Sequence, residues 1–153
     1  MISELEILHQ ITCKETNVDY DSTFNHNRNG FIKESRQITM YIAWTYRKKL
    51  NFYFMTGQIG MFFSNDKNKK GFDHATVLHA NKVIQHLIDS NSFAFRSNIK
   101  MKTIVDNILR KYSMLFQFEG SIKNLIFNDI SLNDKNILLK CLLGYSKEES
   151  NFI

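Results

Sequence analysis

The sequence predicts an all-α protein, and three observations lead to this prediction. The chain has no proline among its 153 residues, whereas average usage is about 5%, and this absence permits long uninterrupted helices. Apolar residues recur at spacings of three and four in several segments, as they do along one face of a helix. Six glycines punctuate these segments and mark the turns between them.

Three helical segments are predicted before residue 64. A short helix over residues 3–15 precedes the polar loop DYDSTFNHNRNG. A longer helix is expected from Lys33 to about Leu50, with Ile38 and Ile42 on its apolar side, and a shorter piece over residues 55–63. The apolar side of the first helix consists of Leu5, Leu8 and Ile11.

The next predicted helix follows the charged loop SNDKNKKG and runs from His74 to about Asp89. Asp73 is expected to be its N-cap, because a carboxylate can accept a hydrogen bond from a backbone N–H two or three residues on. Thr76, in the first turn, is expected to support this cap. The buried stripe of the helix is predicted to be Val77, Ala80, Ile84 and Leu87.

Residues 93–153 are predicted to be a helical extension of a first domain that covers residues 1–92. The extension begins with an amphipathic segment over residues 98–118. The short apolar segment SIKNLIF fits either a helix or a strand. A last helix is predicted in LNDKNILLKCLLG, because its Asn or Asp can cap the start and Gly144 can end it.

Positive charge is concentrated in the middle of the chain. Residues 1–24 have a net charge of −4, residues 25–92 of +6 and residues 93–153 of +3. A basic segment of this kind is typical of nucleic-acid binding, although basic charge alone is a weak indication.

Cysteine usage and hydropathy indicate a cytoplasmic protein. Cys13 and Cys141 have neither disulfide-framework nor zinc-ligand spacing. No apolar run is long enough to span a bilayer, and the acidic start MISELEILHQ differs from a basic signal peptide. We therefore expect no membrane association.

A short helix, a glycine-containing turn and a second helix have the geometry of a helix-turn-helix, whose second helix reaches base edges with its first residues. The side chains at that point are those of Asp73, His74, Ala75 and Thr76. On the residue pattern alone the structural interpretation is favoured, in which Asp73 and Thr76 cap the helix and His74 is solvated.

The segment DHATVLHA closely resembles the DHTTVLHA signature of the C-terminal DNA-binding domain of DnaA, the bacterial chromosomal replication initiator. The resemblance covers roughly residues 15–90. Arg28 matches the arginine of the family's basic loop, Arg36-Gln37 its Arg-Gln pair, and Gln58-Ile59-Gly60 the Glu-Ile-Gly of its first helix-turn-helix helix. The resemblance implies a TrpR-like helix-turn-helix domain that binds a short asymmetric DNA box.

The resemblance also implies residue roles. Arg28 would enter an AT-rich minor groove, which attracts a guanidinium. Asp73, His74 and Ala75 would read the major groove, and Thr76 would help to fix the helix on the DNA backbone. Further contacts, mainly to the backbone, are expected from Lys33, Arg36, Lys48, Lys67, Lys69 and Lys70.

Several positions depart from the family pattern. Ala75 replaces a threonine and keeps only a methyl, which can touch a thymine methyl. Arg28 is nearly alone in a loop that carries several arginines in the family. The expanded turn SNDKNKKG adds three lysines that can compensate through backbone contacts.

No catalytic or cofactor-binding pattern is present, and we expect neither enzymatic activity nor a cofactor. No GxxxxGK[ST] motif occurs, so the sequence lacks the P-loop with which the family binds nucleotides. The histidines lack metal-ligand spacing, and His79 is expected to pack against another helix. The aromatic run from Tyr41 to Phe63 could stack on single-stranded nucleic acid, but core packing is the preferred interpretation.

These observations lead to two functional hypotheses. The first is an ATPase-free protein that binds double-stranded DNA and regulates transcription or replication, with residues 93–153 mediating self-association or binding a protein partner. The second is a protein-interaction factor, such as a phage-encoded modulator of host replication, that keeps the fold without productive DNA binding. The second hypothesis is favoured by the small number of arginines in the loop and by Ala75. It is opposed by Asp73, His74 and the added lysines.

Overall fold

The computed structural model of the protein describes residues 3–26 and 28–117. Apart from one isolated antiparallel bridge between Phe93 and Lys100, these residues form helices, turns and loops, which confirms the all-α class. The elements in chain order are α1 (Glu4–Thr16), a 3-10 helix (Asp21–Asn25), α2 (Gly30–Thr45), α3 (Thr56–Met61), α4 (His74–Asp89) and α5 (Met101–Gln117). None of the helices in the described part of the chain has the combined length and hydropathy of a membrane-spanning segment.

The chain divides into two compact units, one formed by Ile2–Leu109 and another that begins at Arg110. Helix α5 therefore belongs to both. The segment SIKNLIF and the last predicted helix lie outside the described residues, and the boundary predicted after residue 92 stays a prediction.

Helix α1 begins and ends at residues that favour helix termini. The hydroxyl of Ser3 accepts a hydrogen bond from the Glu6 backbone N–H at 3.2 Å, and Asn17 ends the helix in the left-handed conformation with φ 55°. Leu5, Leu8 and Ile11 are buried, as their spacing predicts.

Helix α2 is central, since it packs against α1, α3 and α4. It begins three residues before the predicted start and ends at Thr45, earlier than the predicted Leu50. Beyond Thr45 the chain continues as a turn, in which the Leu50 N–H donates to the Tyr46 carbonyl at 2.9 Å. This turn ends at Asn51, which lies in the left-handed region at φ 55°. The core around α2 contains the fully buried Leu8, Ile38, Ile42, Ile59, Phe63, Val77 and Ile84.

The imidazole of His9 lies inside this core, in contact with two hydroxyls. Its Nδ1 lies 2.7 Å from Thr39 Oγ1 and its Nε2 2.7 Å from Thr23 Oγ1. Rings of aromatic residues surround it, with the Phe63 ring centroid at 4.9 Å. Burial and, to a lesser extent, the charge of Arg36 lower the pKa of His9 to about 3, so the imidazole is neutral at pH 7.

Candidate nucleic-acid interface

Asp73 caps the amino end of α4, as predicted. Asp73 Oδ1 accepts hydrogen bonds from the Thr76 backbone N–H at 2.8 Å and from the Thr76 hydroxyl at 2.9 Å. These hydrogen bonds, first of all the one from the backbone, lower the pKa of the exposed Asp73 carboxyl. The carboxylate is thus held over the first turn, where it also complements the helix dipole.

The first turn of α4 is open to solvent. His74 and Ala75 are exposed and Thr76 is half-buried, whereas Val77 is fully buried. The predicted stripe continues with the buried Ala80 and Ile84 and the half-buried Leu87. The expectation for His79 is wrong: it lies exposed on α4 instead of packing against another helix.

Two glycines let the end of α3 approach the chain just before α4. The carbonyl of Gly60 accepts the Phe72 N–H at 3.0 Å, and a Cβ at Gly60 would collide with the Phe72 carbonyl oxygen. Gly71 has φ +65°, a conformation that side chains disfavour, and its Cα faces the Gly60 carbonyl. This close approach fixes the position of Asp73 relative to α3.

The lysine-containing turn between α3 and α4 is ordered by two asparagines. Asn65 Oδ1 accepts the N–H groups of Lys67 at 2.9 Å and of Asn68 at 2.6 Å. The Asn68 amide donates to the Gly71 carbonyl at 2.9 Å. The turn therefore has a defined backbone, and its three lysines, Lys67, Lys69 and Lys70, are all exposed.

His26 connects this turn to the loop that carries Arg28. Its ring stacks on the Phe72 ring with centroids 4.3 Å apart and planes inclined by 26°. Its Nε2 lies 2.7 Å from the Phe63 carbonyl, which can only accept, so Nε2 carries the hydrogen and Nδ1 accepts from the Asn68 amide at 3.2 Å. Arg28, two residues further on, is exposed.

Sequence reasoning gave His26 and Asn68 no role at the site. Both are polar residues in polar loops, and the hydrogen-bond partners of His26 lie 37 and 42 residues away in the chain. No local spacing signals such a contact. Its only trace in the sequence is the occurrence of His26 close to the basic-loop arginine.

Arg36 requires a correction, because the structure buries the side chain that was expected to contact DNA. It is only 5% exposed, and its Nη1 donates to the Thr23 carbonyl at 3.0 Å. The guanidinium carbon lies 5.4 Å from the centroid of the Phe72 ring, and burial lowers the Arg36 pKa. Arg36 thus supports the same Phe72 ring that stacks on His26.

The other predicted basic residues are exposed but not all adjacent. Lys33 lies one turn into α2, near Arg28 in the chain. Lys48 follows the opposite end of this helix, which has 16 residues and is therefore about 24 Å long. The structure thus does not bring Lys48 together with Arg28.

Part of the aromatic run from Tyr41 to Phe63 lies in the core. Tyr41, Phe52 and Phe63 are buried, which confirms the packing interpretation for these residues. Tyr53 differs, since it is 90% exposed.

The described geometry thus joins an exposed helix end, a turn with three lysines and the Arg28 loop through one stacked pair of rings. Comparisons of the chain with protein-family models, with curated proteins and with solved structures find no match.

Proposed function

We propose that this protein binds double-stranded DNA, prefers AT-rich sequences, and regulates transcription or replication without an ATPase of its own. In this proposal α3 and α4 act as a helix-turn-helix of the DnaA C-terminal type. The observation that carries it is the stack of His26 on Phe72, which ties the Arg28 loop to the exposed amino end of α4.

The amino end of α4 has suitable groups for the major groove. The His74 imidazole can donate to or accept from base edges, and the Ala75 methyl can touch a thymine methyl. Asp73 is already engaged with Thr76, but its second carboxylate oxygen can accept from the amino group of a cytosine or an adenine. His74 and Ala75 in this first turn are exposed, which supports their proposed contact with a duplex.

Arg28 is the candidate for the minor groove. A narrow AT-rich groove has an enhanced negative potential and favours an inserted guanidinium. Lys33 and the lysines of the α3–α4 turn flank the two reading elements and are suited to phosphate contacts, which position a protein on DNA without reading sequence. The net charge of +6 over residues 25–92 supports this assignment.

A titration of labelled duplexes tests the proposal. Binding of the wild-type protein to an AT-rich duplex should exceed binding to a GC-rich duplex of equal length, and both should weaken as salt rises. Fragments selected from a random DNA pool should share a short asymmetric motif. Failure to bind any duplex even at low salt would refute the DNA-binding function.

A second candidate function is binding to a protein partner with the same surface. Exposed apolar side chains near α3 favour it, since Met55 is 67% and Met61 58% exposed. Leu78 on the exposed side of α4 is 40% exposed. This function predicts that the wild-type protein does not bind duplexes productively, and that changing Met61 or Leu78 to Ser weakens binding to the protein partner.

A further inference from the structure

The segment from Ser92 to Met101 is a closed loop with an arginine near its tip. The Met101 N–H donates to the Ser92 carbonyl at 2.9 Å and the Ala94 N–H to the Ile99 carbonyl at 2.9 Å. A tight turn follows, in which the Ser97 N–H donates to the Ala94 carbonyl at 3.0 Å. Phe95 and Arg96 are therefore the two central residues of a four-residue turn.

Arg96 occupies a backbone conformation that favours glycine or asparagine. Its φ is 45°, which lies in the left-handed region. The side chain is exposed, and its guanidinium carbon lies 5.3 Å from the centroid of the Phe95 ring. The contact with the Phe95 ring is the packing that Arg96 gains at this strained and exposed position, and such an exposed contact contributes little to stability. A role of its charge is therefore the better explanation for an arginine here.

The turn is anchored to the start of α2, next to the Arg28 loop. The Phe95 ring lies against Gly30, where a Cβ would come within 2.5 Å of it, and meets the Phe31 ring edge-on at 4.9 Å between centroids. The Phe95 N–H also donates to both carboxylate oxygens of Glu34, at 3.0 and 3.1 Å. These contacts hold Arg96 at a fixed place beside the amino end of α2.

Arg28 and Arg96 are consequently close on the scale of a duplex. Gly30 follows Arg28 by two residues, and Phe95 joins Gly30 to Arg96, so the two arginine backbones are separated by at most roughly 20 Å. About six base pairs of DNA cover that distance.

The charge around the turn is mainly positive. Lys33 and Arg96 are exposed, and Lys100 lies half-buried at the base of the loop with its Nζ 5.9 Å from the Phe93 ring centroid. The acidic residue Glu34 accepts a hydrogen bond from the Phe95 N–H. Lys102 forms an ion pair with Asp106 at 3.0 Å.

We infer that the Phe95–Arg96 turn is a second DNA-backbone contact, in which Arg96 binds a phosphate beside the minor groove that Arg28 enters. This inference rests on the proposed DNA binding and adds a phosphate-binding element outside the α3–α4 region. Phe95 positions the turn, and Arg96 supplies the charge.

Arg96→Gly is the informative variant, because glycine relieves the left-handed strain while removing the charge. Its melting temperature should equal or exceed that of the wild type. The slope of log K against log salt for duplex binding should decrease in magnitude by about one, and affinity should fall several-fold. The preference for AT-rich over GC-rich duplexes should persist, because a phosphate contact reads no sequence. Arg96→Lys should retain the wild-type slope.

Lys49→Gly is the matched control, since it removes one exposed charge beyond the opposite end of α2. Its salt slope should equal that of the wild type. If the wild type binds DNA and Arg96→Gly binds with an unchanged slope, the inference is wrong while the proposed function stands. An equal decrease in both variants would assign the effect to net charge and also overturn the inference. Absence of wild-type binding would overturn both.

Discussion

The ring of His26 stacks on the ring of Phe72 with 4.3 Å between their centroids. Phe72 directly precedes the cap of α4, and His26 lies two residues before Arg28. This stack thus contributes to the coupling of the two elements that we propose to read the two grooves of DNA. The carbonyl of Phe63 and the amide of Asn68 hold the imidazole in place through its two nitrogens.

His26→Ala is expected to lower DNA affinity although His26 is not proposed to touch DNA. Removal of the stack and of two hydrogen bonds should also reduce the free energy of unfolding by roughly 1 to 3 kcal/mol. Urea unfolding and duplex titration measure the two effects. His26→Phe, which keeps a ring on Phe72, should retain more affinity than His26→Ala. Wild-type DNA binding by His26→Ala would show that the coupling has no role.

Arg28→Ala and His74→Ala are each expected to reduce specific affinity by roughly 1 to 3 kcal/mol, the usual effect of removing a side chain that contacts a base. Both side chains are exposed, so the free energy of unfolding should change little. Binding to matched AT-rich and GC-rich duplexes at one salt concentration provides the measurement. Lys49→Ala serves as a control for net charge. Unchanged affinity in both variants would refute the assigned roles.

The three lysines of the α3–α4 turn are expected to act on phosphates rather than bases. With Lys67, Lys69 and Lys70 all changed to Ala, the salt slope should decrease in magnitude by about one for each phosphate that the turn no longer binds, up to about three. The AT preference should remain. An unaltered salt slope would exclude the proposed compensation for the missing loop arginines.

Sequence reasoning predicted the amino end of α4 well because its determinants are local. Asp73 caps Thr76, three residues on, and Val77, Ala80 and Ile84 follow one helical period. Such relations can be read from spacing alone.

Contacts between distant segments could not be predicted in this way. Arg36 is buried through its contacts with the Thr23 carbonyl and the Phe72 ring. Thr23 lies 13 residues before Arg36, and Phe72 lies far beyond it in the chain. An arginine beside a basic loop is compatible with either state. The same holds for the anchoring of Phe95 on Gly30, which joins segments about 65 residues apart.

Gly60→Ala is expected to destabilise the fold, because the new Cβ would collide with the Phe72 carbonyl oxygen, a backbone atom that cannot rotate away. The unfolding free energy should fall by roughly 1 to 3 kcal/mol. Gly57→Ala is the control in the same helix, since nothing lies within 4 Å of its added Cβ. It should increase stability by up to about 1 kcal/mol through helix propensity. Equal stability of the two variants would contradict the close approach of Gly60 to Phe72.

Acid is expected to destabilise the protein through His9. Its pKa of about 3 in the folded state lies below the ordinary value of 6.5, so the unfolded state binds the proton more readily. The stability that neutral His9 confers is complete above about pH 6.5 and is lost as pH falls from 6.5 towards 3. From pH 7 to pH 5 this group should therefore account for a decrease of about 2 kcal/mol in unfolding free energy.

Urea unfolding at the two pH values measures the decrease, and the NMR signals of the His9 ring identify its source. Those signals should stay at their neutral position from pH 7 to pH 4 in the folded protein. His9→Leu removes the titrating group, and each threonine hydroxyl can then donate to a backbone carbonyl within reach, that of Tyr20 for Thr23 and that of Ser35 for Thr39. From pH 7 to pH 5, the unfolding free energy of His9→Leu should decrease by about 2 kcal/mol less than that of the wild type. Protonation of His9 near pH 6.5 in the folded state would contradict the burial of a neutral imidazole, because an uncharged ring is the form that this aromatic surrounding tolerates.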